Sequence, residues 1–105
     1  MKLKAAPALI DTCTLAAVSR RDGHAEALFH EVDGVVGLEA EEMEASLARL
    51  EENGFLEGYD WPQDGKRRRF YRITVAGRCR LRQSLDEWED YVRRVDGYLH
   101  PQERE

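Results

Sequence analysis

The feature that most constrains this chain lies near its end. Leu81, Leu85, Trp88, Val92, Val95 and Leu99 follow one another at spacings of 4, 3, 4, 3 and 4 residues, which is the a/d seam of a heptad pattern. A stripe with that period stays on one side of an α-helix, and a helix of about 25 residues rises roughly 37 Å. That is longer than the core of a 105-residue chain can cover, so the spacing predicts a terminal helix that pairs with a second copy of itself. Packing of the stripe onto the chain's own domain is the competing arrangement.

Upstream of the seam the pattern reads as three helices and a hairpin. Leu9, Cys13, Ala16 and Ala17 recur at helical spacing behind Pro7, which suits a first turn, so a first helix is expected from Pro7 to Ser19. A second, from His24 to Val32, carries Ala25, Leu28, Phe29 and Val32 on one face, with Asp33-Gly34 read as the turn that ends it. After a loop from Val35 to Leu38, Met43, Leu47 and Leu50 predict a third helix over Glu39–Asn53, stopped by Asn53-Gly54. Phe55 to Trp61 and Arg69 to Ile73 read as strands on either side of the turn Pro62-Gln63-Asp64-Gly65. Thr74 is a suitable N-cap for the seam helix.

The composition, 42% hydrophobic and 35% charged, supports one folded domain rather than a disordered tail. No apolar run approaches the roughly 20 residues of a membrane span. Lys2 and Lys4 ahead of an alanine-rich run imitate a signal peptide, but Asp11 interrupts its apolar centre. Cys13 and Cys79 form no CxxC, so neither a zinc site nor a disulfide framework is expected, and a reducing cytoplasm fits best. His24, His30 and His100 lack metal-ligand spacing, and no glycine-rich phosphate loop or nucleophile with a base partner is visible. No enzyme, metal or cofactor is expected.

The net charge of −5 hides two opposite blocks. Residues 39 to 60 hold eight acids (Glu39, Glu41, Glu42, Glu44, Glu51, Glu52, Glu57 and Asp60) against the single base Arg49. Residues 66 to 82 hold eight bases (Lys66, Arg67, Arg68, Arg69, Arg72, Arg78, Arg80 and Arg82) and no acid. The basic block is suited to an anionic partner. Alternatively, the acidic block folds against it and neutralises it.

Three helices followed by a hairpin are the order of a winged helix-turn-helix, a mostly α fold with a small β-hairpin (α+β), here extended by a long C-terminal helix. The expected division is a winged helix-turn-helix domain over residues 1–74 and a dimerisation helix over 75–105, as one structural unit. Two segments resemble the PadR-like transcriptional regulators. Leu47-Ala48-Arg49-Leu50-Glu51-Glu52-Asn53-Gly54-Phe55-Leu56-Glu57 is similar to the family's "ALxRLEexGLLe", and Arg69-Phe70-Tyr71-Arg72-Ile73-Thr74-Val75-Ala76-Gly77-Arg78 to its "RKYYxLTexGR". In order and spacing the resemblance covers nearly the whole chain.

The resemblance implies a cytoplasmic homodimer that binds operator DNA, with a repressor's role. The third helix would enter the major groove and the wing would touch the neighbouring backbone or minor groove. The expected DNA-binding residues are Ser46 and Arg49 on the exposed face of the third helix, with Arg49 directed to guanine, and Lys66, Arg67, Arg68 and Arg69 on the wing. Glu52 or Asn53 could instead hold Arg49 on its own helix. The expected dimer interface is the seam from Leu81 to Leu99. Family members also sense planar aromatic compounds, which makes Trp61 and Trp88 candidates for lining an effector pocket; simple packing is the alternative role. The chain departs from the family where "GTLY" opens the recognition helix, because Glu41-Glu42-Met43-Glu44 stands there and the preceding loop is shorter. Carboxylates at those places repel phosphates, although acids in a first turn also stabilise the helix through its dipole. A second function therefore stands beside the first, a winged-helix interaction module that uses its acidic third helix to dock a basic protein and does not bind duplex DNA.

Overall fold

The computed structural model describes residues 3–101. Seven elements follow in order: α1 (Pro7–Arg20), β1 (Gly23–His24), α2 (Ala25–Val36), α3 (Ala40–Glu52), β2 (Leu56–Gln63), β3 (Lys66–Ile73) and α4 (Val75–Leu99). Pro7 opens α1, since its missing N–H is not needed in a first turn. Apolar faces of α1, α2 and α3 converge on a core that includes Ile10, Leu15, Val18, Leu28, Val32, Met43, Leu47 and Leu50, and Leu56 closes it from the sheet. Burial of such a side chain contributes about 1.5–3 kcal/mol.

Three local expectations are corrected. Asp33-Gly34 does not end α2, which continues to Val36 and stops at Gly37 with φ 68°. Asp33 instead closes the helix from within: its carbonyl accepts from the Gly37 N–H and its Oδ1 from the Leu38 N–H, both at 3.0 Å. A left-handed glycine is an ordinary helix stop, and the side-chain bond satisfies a donor just beyond it. The second correction is β1. Two residues long, it pairs antiparallel with β3 through Gly23↔Tyr71 and His24↔Phe70, so the hairpin is part of a three-stranded sheet of order β1-β3-β2. So short a strand leaves no periodic signal in a sequence.

The hairpin turn is the two-residue pair Asp64-Gly65, with φ 53° and 76°, as a tight hairpin requires. Pro62 and Gln63 continue β2 rather than turning, which a proline can do in this edge strand. Thr74 caps α4 as expected, its Oγ1 accepting from the Gly77 N–H at 2.9 Å and donating to the Gly54 carbonyl at 2.6 Å. Gly77 is buried against the Phe55 carbonyl and the Ile73 side chain, leaving no room there for a Cβ. These contacts fix the direction in which α4 leaves the domain.

The first half of α4 packs on α1; the second half projects beyond the core, and the molecule measures 66 × 32 × 20 Å. Leu81 is partly buried against the core. The rest of the seam is open, from Leu85 at 43% exposure to Leu99 at 63%. The chain therefore does not cover its own stripe. Among the described residues, no helix is long and apolar enough to cross a membrane.

Candidate nucleic-acid interface

The expected DNA-binding residues fall on two elements, α3 and the β2–β3 hairpin. Helix α3 is opened by a reciprocal cap in which Glu42 Oε1 accepts from the Glu39 N–H at 2.9 Å. Glu42 is thus occupied by its own helix end. The exposed positions that follow are Glu41, Glu44, Ala45, Ala48 and Glu52, so the outward face presents carboxylates and methyl groups.

Neither α3 residue expected to read bases occupies that face. Ser46 has 0% exposure; its hydroxyl donates to Asp11 Oδ1 at 2.7 Å and lies 3.1 Å from Thr14 Oγ1. It is an interior residue because position 46 shares the inward stripe with Met43, Leu47 and Leu50. Arg49 is turned toward α1, where Nε meets Asp11 Oδ2 at 3.1 Å and NH2 meets Oδ1 at 2.8 Å. Its partner is neither Glu52 nor Asn53. The fork-to-fork bond raises the Arg49 pKa above the usual guanidinium value, with the Asp11 hydrogen bond as the largest cause. Asp11, prominent in the sequence only as a break in an apolar run, is the hub that joins α1 to α3. A lone carboxylate among alanines and leucines was the available sign.

On the wing, strand alternation separates the basic residues. Arg69, on the core-facing side with Tyr71 and Ile73, lies across Gly58 and pairs with Glu51 of α3. Its guanidinium carbon sits 5.9 Å from the Tyr71 ring centre, and its pKa is raised, chiefly through the Glu51 hydrogen bond. Arg69 therefore ties the wing to α3, and Gly58 makes room for it. Arg68, on the opposite side, approaches Glu26 of α2 at 3.5 Å.

Arg72 bonds Glu57 at 3.1 Å, which lowers the Glu57 pKa, and its guanidinium carbon lies 5.1 Å from the Tyr59 ring centre. Tyr59 stacks on Phe70, Phe70 meets His24 edge-on, and the Tyr59 hydroxyl donates to Asp22 at 2.7 Å, raising the Tyr59 pKa. Part of the basic block is thus neutralised by acids folded against it. Lys66 and Arg67 at the tip are exposed, and among the described residues no carboxylate lies within 4.0 Å of either.

The two tryptophans are not brought together. Trp61 stands on the wing at 60% exposure, cross-strand from Arg68. Trp88 lines a groove of about 850 Å³ between α1 and α4, with Leu9, Thr12, Phe55, Ser84 and Tyr91 among its walls. Trp61 does not line that groove, so within one chain the two tryptophans share no wall of it.

The comparisons agree with this architecture. No curated protein matches the chain. A Streptococcus mutans UA159 protein of solved structure is 26% identical, with 100% of this chain and 99% of that chain covered and a TM-score of 0.90. A PadR family transcription regulator from Clostridium difficile is 22% identical over 86% of this chain and 97% of its own, with a TM-score of 0.78. A PadR-like transcriptional regulator from Bacillus cereus is 20% identical over 90% and 94%, with a TM-score of 0.79. At those identities the last two establish the fold alone. The model of the transcriptional regulator PadR-like family matches residues 15–83, the greater part of the chain, and the chain belongs to that family.

Proposed function

We propose that the chain is a DNA-binding transcriptional repressor that acts in the cytoplasm as a homodimer. The observation that carries this reading is the wing tip, where Lys66 and Arg67 are exposed and, among the described residues, have no carboxylate within 4.0 Å. The uncovered seam from Leu85 to Leu99 supports the dimer, since an apolar stripe of that length is stabilised when a second copy covers it. Two wings making about six phosphate contacts between them would give a slope of roughly −5 for log K against log salt.

Binding of the full chain to fluorescent duplexes from its own promoter, at about 50 and 200 mM salt with an unrelated duplex as control, tests the reading. Selective and salt-sensitive binding is expected; no binding to either duplex at the lower salt refutes it. Leu85→Asp with Val92→Asp is expected to give monomers by light scattering, and an unchanged dimeric mass would remove the seam as the interface. The groove beside Trp88 is suited to a small planar aromatic effector. Release of a bound duplex by such a compound, abolished in Trp88→Ala, would identify it.

One observation favours the second reading. The outward face of α3 carries Glu41, Glu44 and Glu52 and no base, Arg49 being turned inward to Asp11. A surface of that kind docks a basic protein more readily than a phosphate backbone.

A further inference from the structure

On the outer side of the sheet, aromatic rings and guanidinium groups are matched in sequence until the row reaches the wing tip. Arg72 covers Tyr59, Tyr59 stacks on Phe70 with ring centres 5.9 Å apart, and Phe70 meets His24 at 5.4 Å. Trp61 is next on that side, and there the matching ends. Among the described residues no ring stacks on its indole and no guanidinium lies over it. Its cross-strand neighbour Arg68 is directed to Glu26 instead. The largest apolar side chain of the wing is thus 60% exposed, beside Pro62, within a tip whose residues 61–68 carry three bases against the single acid Asp64.

We propose that Trp61 is a DNA-contact residue that lays its indole against the sugar edge of the duplex's minor groove while Lys66 and Arg67 hold the flanking phosphates. The inference rests on the duplex-binding reading above and deepens it. An exposed indole on a tip that also carries the unpaired Lys66 and Arg67 is suited to this occupant: the two bases bring the polyanion close, and the indole then excludes water from deoxyribose and base edges that no cation can desolvate. A protein partner acidic enough for the same cations would offer carboxylates and little for the indole to cover. A duplex presents both surfaces at a fixed separation.

The test uses the full-length chain labelled with ¹⁵N, whose two indole N–H signals are assigned with Trp61→Phe, together with anisotropy titrations of a promoter duplex and of one of its single strands. The Trp61 signal is expected to shift on adding duplex. Trp61→Ala is expected to weaken duplex binding roughly 10-fold without altering the salt slope, since an indole releases no counterion, and Trp61→Phe to recover most of the loss. Because Trp61 is exposed, Trp61→Ala is expected to keep the parent's melting temperature. If the duplex binds with the Trp61 signal unmoved and Trp61→Ala binds like the parent, this inference falls while the duplex-binding reading stands. If the parent binds no duplex at low salt, both fall. A larger Trp61 response to the single strand than to the duplex overturns the minor-groove contact in favour of stacking on unpaired bases.

Discussion

Arg49 on α3 and Arg67 on the wing carry the same guanidinium in opposite circumstances. Arg49 lies in the acidic block of the sequence and finds its counter-charge on α1, in Asp11. Arg67 lies in the basic block, and among the described residues it has no carboxylate within 4.0 Å. The helix that would read bases thus holds its base against α1 and shows carboxylates, while the hairpin tip shows Lys66 and Arg67. The lesson is that charge along a sequence locates the material for an interface, and packing decides which of it reaches the surface.

The largest expected effect breaks the wing's side of this comparison. Lys66→Ala with Arg67→Ala should reduce duplex affinity about 100-fold or more at 50 mM salt, and lower the salt slope by about 4 for a dimer, as four phosphate contacts are lost. A slope equal to the parent's would remove the tip from the interface. Breaking the helix side instead, Asp11→Ala leaves the buried Ser46 hydroxyl without its carboxylate and Arg49 without its fork partner. A loss of about 1–3 kcal/mol in urea unfolding is expected, and an unchanged midpoint would mean that the contact adds no net stability.

Sharpening the contrast, Glu41→Gln with Glu44→Gln removes two exposed carboxylates from α3. If α3 faces the duplex, affinity should rise about 3–10-fold at 50 mM salt, with the gain shrinking at higher salt as screening shortens. An unchanged affinity would indicate that α3 stands away from the phosphates. The smallest effect is expected for Gly58→Ala, whose new Cβ displaces the Arg69 guanidinium from the sheet and weakens its bond to Glu51. Because solvent screens this partly exposed pair, the unfolding midpoint should move only slightly, with the salt slope unaffected. A lower slope would show that Arg69 itself touches phosphate.

Much of the fold was legible because its causes are local. The apolar period of α3, the stop at Gly54, the Thr74 cap and the 4, 3, 4 spacing of α4 all act within a few residues of themselves. Asp33-Gly34 misled because the pair is turn chemistry in isolation, and only the Leu38 N–H, reaching back to the Asp33 carboxylate, shows that the helix continues through it. The candidate site was legible less fully. The sequence places Ser46 on the exposed face of the third helix, yet its position is an interior one, and Asp11 and Thr14 from α1 make that interior polar.

The sequence by itself determined the order of the helices and the hairpin, the family, and the two materials of the interface, an acidic third helix and a basic hairpin, since these depend on periodicity and composition over short windows. Only the tertiary structure decided which charges remain on the surface. Arg49 and Asp11 are 38 residues apart and Arg69 and Glu51 are 18 apart, and a Coulomb partner acts through space over a few ångströms. No window of sequence contains that distance until the helices and sheet have been packed against one another.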